Sequence, residues 1–136
     1  LYYNYDEAAE FDFGEIYGSL SYAGFTLGDY LLANTEAKES FGQDFGFGEA
    51  YYVYADYAFE LRDELTLAVH YGYHDGDFNE AFNAVPGSYS DYHVSLSKNG
   101  FSFMISDTDL DNPVGMDPLD NDEVKIVVSY THAFEL

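Results

Sequence analysis

The residues able to do chemistry in this chain are histidines, carboxylates and tyrosines, and their spacing limits what that chemistry is. Residues two or four apart in a strand share a face, so His70 and His74 fall together. If the connection over 76–87 folds back symmetrically, His93 stands opposite His70, and Tyr89 opposite His74. Two facing imidazoles could hold a metal ion, but two ligands make a weak site. The alternative is a set of histidines hydrogen-bonded to Tyr and Asp. Asp56, Glu60 and Asp91 are polar-face carboxylates that could serve as acid and base, yet no serine stands in a recognisable triad order and cysteine is absent, so no enzymatic activity is expected.

A second acidic group runs Asp107-Thr108-Asp109-Leu110-Asp111-Asn112, with carboxylates at alternate positions as in the first half of a calcium loop. Asn112 stands where such a loop needs Gly, and Pro118 where it needs a bidentate Glu, which excludes an EF-hand. A looser site for Ca²⁺ or another divalent cation, drawn from Asp107, Asp109, Asp111, Asp117, Asp120 and Asp122, is weighed against a solvated acidic loop. No other cofactor is expected.

The elements that must position these groups are strands. In residues 65–74 the odd positions are Leu65, Leu67, Val69, Tyr71 and Tyr73, and the even ones Thr66, Ala68, His70, Gly72 and His74. One face is wholly apolar or aromatic and the other small or polar. The same rule sets Tyr51, Val53, Ala55, Tyr57 and Phe59 against Tyr52, Tyr54, Asp56 and Glu60. It also sets Tyr92, Val94 and Leu96 against Asp91, His93 and Ser95. Strands are placed near 1–6, 14–23, 25–34, 48–60, 64–75, 88–97, 101–108 and 122–136, with a bulge or strand end where Leu31 and Leu32 adjoin and Asp29 joins the apolar face.

Tight connections at Ala23-Gly24, Arg62-Asp63-Glu64 and Lys98-Asn99-Gly100 alternate with long ones over 35–47, 76–87 and 109–121. Consecutive antiparallel strands reverse direction, so every long loop emerges at one end of the sheet. That asymmetry, with about eight strands, predicts an all-β, antiparallel, up-and-down transmembrane barrel occupying 1–136 as one domain. A soluble sandwich also alternates, but its water face is normally rich in Lys, Glu, Arg and Thr. Here the polar face is mostly Ser, Ala, Gly, Tyr and His, which suits a crowded interior.

Composition agrees. Lys and Arg total 4 against 26 Asp and Glu, a net charge of −22 that repels phosphate and excludes nucleic acid as a partner. There are 15 Tyr and 12 Phe but no Trp, a stock of aromatics suited to strands and to the rims of a bilayer. The chain does not open on Met and has no leader, so it is expected to be a mature or truncated product. The alternating run from Val128 to Leu136 looks like the C-terminal signal that outer-membrane proteins present to the barrel-assembly machinery.

Four segments carry a family resemblance: Glu49-Ala50-Tyr51-Tyr52-Val53-Tyr54-Ala55-Asp56-Tyr57, the stretch from Leu65 to Tyr73, that from Ser90 to Lys98, and that from Phe101 to Asp109. Through them most of residues 14–136 resembles the TorF-type porins of proteobacterial outer membranes. Members are longer at the N-terminus, so the resemblance implies the C-terminal part of a larger barrel. It also implies an outer-membrane location and passive diffusion of solutes through a pore, and it brings no catalytic residues; the acidic loops with Asp56, Glu60 and Asp91 are expected to bias that diffusion toward small cationic or neutral solutes. Membrane lipid, lipopolysaccharide and a second copy of the chain are the further partners expected. The alternative function is a non-conducting barrel whose acidic loops contact divalent cations, lipopolysaccharide or a partner.

Overall fold

The computed structural model describes residues 1–6, 8–83, 86–110 and 122–133. Its elements are β1 (Tyr2–Tyr3), β2 (Phe13–Tyr22), β3 (Phe25–Thr35), β4 (Tyr51–Arg62), β5 (Leu65–Asp75), a short helix α1 (Asp77–Asn83), β6 (Tyr89–Lys98), β7 (Phe101–Thr108) and β8 (Lys125–Tyr130). The strands form one eight-stranded antiparallel sheet in chain order, and among the described residues no second sheet packs on it. No ladder joins β8 to β1 or β2 among the described residues, so the sheet is open.

Each short connection is a two-residue turn with both residues at positive φ: Ala23 (49°) and Gly24 (87°), Asp63 (50°) and Glu64 (63°), Asn99 (52°) and Gly100 (81°). Two consecutive positive φ values define the type I′ turn, whose twist matches that of the flanking strands. The connections β3–β4 and β5–β6 lie at the opposite end, as the alternation requires. The irregularity expected near Leu31-Leu32 falls at Ala33: Glu15 pairs with Leu32 and Gly14 with Asn34, leaving Ala33 without a partner.

Two expected strands are shorter than the pattern suggested. The first shrinks to Tyr2–Tyr3, because the carboxylate of Asp12, itself 5% exposed, accepts from the Tyr5 backbone at 2.7 Å and Asn4 Nδ2 at 3.0 Å and folds the chain back. The last strand stops at Tyr130, opposite Phe101 where β7 begins, so residues 131–133 have no strand to pair with. Phe134, Glu135 and Leu136 of the expected assembly signal lie outside the described residues.

The two faces are continuous across strands. One row, from β2 to β8, reads Tyr22, Phe25, Tyr57, Val69, Val94, Ile105 and Ile126. The neighbouring row on the other face reads Ser21, Thr26, Asp56, His70, His93, Ser106 and Lys125. Along β6, Tyr92, Val94 and Leu96 are exposed while Asp91, His93, Ser95 and Ser97 between them are half-buried, and β7 repeats the alternation. A flat single sheet would expose both faces alike, so the polar face is the concave one.

Among the described residues the buried hydrophobic groups are Leu32, Phe45, Ala50 and Phe78, with Phe13, Ala37 and Phe82 packed against them. This small cluster sits at the loop end of the concave face. It draws on the first two long connections: Ala37 and Phe45 from residues 36–50, and Phe78 and Phe82 of α1, pack onto the sheet. Phe78 and Phe82, one helical turn apart, stack at 5.5 Å and lean on Phe13 at 5.3 and 5.2 Å.

Candidate functional site on the concave face

Three adjacent rows of the concave face converge on His70. Asp56, His70 and His93 form one row, Tyr54, Gly72 and Asp91 the next, and Tyr52, His74 and Tyr89 the third. Gly72 is what lets them meet. Lacking a side chain, it leaves room for the Tyr52 hydroxyl and the Asp91 carboxylate, both of which a Cβ there would strike. His70 Nδ1 lies 2.6 Å from Asp56 Oδ1, and Nε2 lies 3.0 Å from Asp91 Oδ1 and 2.9 Å from the Tyr52 hydroxyl.

Carboxylates only accept hydrogen bonds, which sets the chemistry of this network. A ring protonated at both nitrogens donates to Asp56 and Asp91 together. A neutral ring keeps the Nδ1 donation to Asp56 and accepts from the Tyr52 hydroxyl at Nε2. Either way both nitrogens are engaged, and the ring cross-links β4, β5 and β6. Asp91 Oδ2 is enclosed without a hydrogen-bond partner, with His74 Nε2 3.8 Å away.

The histidines and tyrosines are stacked. His70 and His93 lie face to face at 4.7 Å and 11°. Imidazole lone pairs lie in the ring plane, so parallel rings do not converge on one ion, and this pair is arranged for stacking. Two rows away the rings of Tyr17, Tyr30, Tyr52, His74 and Tyr89 form a ladder from β2 to β6, at centroid separations of 5.4, 6.2, 4.1 and 4.4 Å. Tyr54 lies over Gly28, whose missing side chain makes the space for it.

The remaining candidates lie apart. Glu60 is exposed at the turn end and accepts from the Glu64 backbone at 3.4 Å. Asp107 accepts from the Thr108 backbone at 2.9 Å and from the Tyr92 hydroxyl at 3.2 Å, while Asp109 accepts from the Ser90 backbone. Asp122 stands in the turn before β8, and Asp111, Asp117 and Asp120 lie outside the described residues. Among the described residues no three His, Cys, Asp or Glu side chains are grouped as a metal site would require.

Sequence reasoning did not anticipate the cleft beneath α1. It measures about 480 Å³, with Phe13, Phe78 and Phe82 on one side, Tyr30, Tyr52, His74 and Tyr89 on the other, and Glu15 at its edge. The available signal was the Phe78, Phe82 pair at helical spacing inside a segment otherwise read as a loop. No family profile, curated protein or solved structure matches this chain significantly.

Proposed function

We propose that this sheet is the wall of an outer-membrane β-barrel of the TorF type, a porin-like protein for passive, weakly cation-preferring diffusion of small solutes. The observation that carries the reading is the inverted burial: the Ser, His and Asp face is concave and shielded, and the Val, Leu, Ile and Tyr face is convex and exposed. In water that arrangement is unfavourable, since soluble proteins rarely leave so continuous an apolar surface uncovered. In a bilayer it is the favourable one. The strands β2 to β6, of 10 to 12 residues, suit a tilted membrane crossing.

Lipid cannot satisfy unpaired backbone groups, so the outer edges of β2 and β8 need partners. They can pair with each other, with strands outside residues 1–136, or with a second copy. Asp56 and Asp91 on the concave face, together with the acidic loops, would concentrate cations and repel anions. Lipopolysaccharide and bound divalent cations are natural contacts for those loops, and the barrel-assembly machinery is the expected partner in biogenesis.

One observation favours a second reading, a closed barrel of structural or surface-binding role. Eight strands enclose a space that side chains can fill, and here the tyrosine ladder and the α1 cluster occupy the concave face. Conductance in a planar bilayer under a KCl gradient separates the two. Discrete steps with a cation-selective reversal potential, weakened by Asp56→Asn and Asp91→Asn, support the pore. A folded, inserted and silent protein overturns it in favour of the closed barrel.

A further inference from the structure

We propose that the groove between α1, the 36–50 connection and the single turn Ala9–Phe11 binds a small zwitterion with an aromatic body, of the kind an aromatic α-amino acid presents. It measures about 370 Å³, within the range of small-ligand sites. Three segments far apart in the chain build it around four phenyl rings. Phe45 meets Phe78 edge-on at 5.5 Å and 84°, Phe11 meets Phe82 at 6.2 Å and 80°, and Phe78 and Phe82 join the two pairs. Phe45 and Phe78 are buried, whereas Phe11 is 46% exposed. A further ring in the groove continues edge-to-face packing that is already there and covers apolar surface that the chain itself leaves to solvent.

Charge narrows the choice of occupant. Among the described residues the charged lining of the groove is one acid and one base, Glu10 and Lys38, both exposed. Neither is ion-paired there, with the other or with a third group. That is unexpected for Lys38 in a chain of 26 acids and 4 bases. The adjacent Glu39 accepts from the Phe45 backbone N–H at 2.9 Å, and Asp77 of α1 accepts from the Asp44 N–H at 2.9 Å. An ammonium alone is matched by Glu10 and opposed by Lys38. A carboxylate alone is matched by Lys38, opposed by Glu10 and repelled by the net charge of −22. A zwitterion answers both residues and, carrying no net charge, is not excluded by the charge of the chain.

This site goes beyond the pore reading and is measured without conductance, so a silent protein that binds overturns the pore alone, and a conducting protein that does not bind overturns the site alone. The test is a calorimetric titration of the full chain, in a non-ionic detergent at about physiological salt, with L-phenylalanine, phenethylammonium, 3-phenylpropionate, glycine and dihexanoylphosphatidylcholine. The expected result is saturable one-to-one binding of L-phenylalanine, about fivefold tighter than either singly charged analogue, with no saturable binding of glycine. Lys38→Met should remove the margin over phenethylammonium, and Glu10→Gln should narrow the margin over 3-phenylpropionate. Ala81→Leu enlarges a side chain that lines the groove and should weaken L-phenylalanine with both charges intact. Phenethylammonium equal to L-phenylalanine, an undiminished margin in folded Lys38→Met, or no saturable binding overturns the proposal. Tighter binding of the phosphatidylcholine overturns the amino acid in favour of a lipid headgroup. Should a variant fail to fold, the five-ligand series on the unaltered chain still decides.

Discussion

Val69→Arg tests the assignment of faces directly. Val69 is on the convex face, 37% exposed, between Tyr57 of β4 and Val94 of β6. It is four residues from Leu65 and six from Asp75, the ends of β5. At a rise of roughly 3.3 Å per residue that is about 13 Å and about 20 Å along the strand. A tilt of about 40° turns these into roughly 10 and 15 Å of height. Val69 then sits close to the middle of an apolar band about 25 Å tall, where Arg costs about 2–4 kcal/mol. That lowers the folded-to-unfolded equilibrium ratio about 30- to 900-fold. The assay is folding into phosphatidylcholine vesicles, titrated with guanidinium chloride and followed by tyrosine emission and gel mobility. Ala68→Ser, one residue away on the concave face, should be nearly silent. Equal tolerance at positions 68 and 69 would refute a lipid-facing convex surface.

Three further outcomes are expected. Gly72→Ala places a methyl where the Tyr52 hydroxyl and Asp91 carboxylate lie and should lower stability by about 1–3 kcal/mol; an unshifted denaturation midpoint would mean the network yields freely. His70→Leu strips Asp56 and Asp91 of their shared partner, and with those carboxylates partly exposed the loss should be about 1–3 kcal/mol. Adding Asp56→Asn to His70→Leu should recover part of that loss, and a purely additive double variant would argue against coupling. Replacing Asp63-Glu64, both at positive φ, with Asn-Gly should stabilise by roughly 1 kcal/mol, since these residues adopt the type I′ turn with less strain; a fall in the denaturation midpoint would contradict that.

The sheet was legible in the sequence because its signals are local. Alternation assigned Val69 outward and His70 inward, and the short connections at 23–24, 62–64 and 98–100 marked the turns, which the structure narrows to residues 23–24, 63–64 and 99–100. Turn positions and alternation together fix register, which is why His70 falls opposite His93 and His74 opposite Tyr89 as the symmetric hairpin required. What local patterns do not carry is contact across rows. The meeting of Tyr52 and Asp91 over Gly72 depends on a side chain that is missing, and a lone glycine in a strand announces no partner. The return of α1 onto Phe13 joins residues far apart in the chain, and its polar and acidic surroundings masked the Phe78, Phe82 pair. Asp12 read as one acid among many, although it alone gathers Asn4 and Tyr5 to end β1 early.

The chain-order topology also has a kinetic meaning. Each strand pairs with its successor, and the hairpins β2–β3, β4–β5 and β6–β7 are each joined by two-residue turns. Such hairpins can close independently, on a scale of about 1–10 μs in isolation, and neighbours can then zip together without any long loop being sealed first. The outer edges of β2, beyond its two-residue pairing with β1, and of β8 are the exception, with no partner strand among the described residues. Those two edges are where the zipper stops, and their backbone groups are the ones that pairing between consecutive strands leaves unsatisfied.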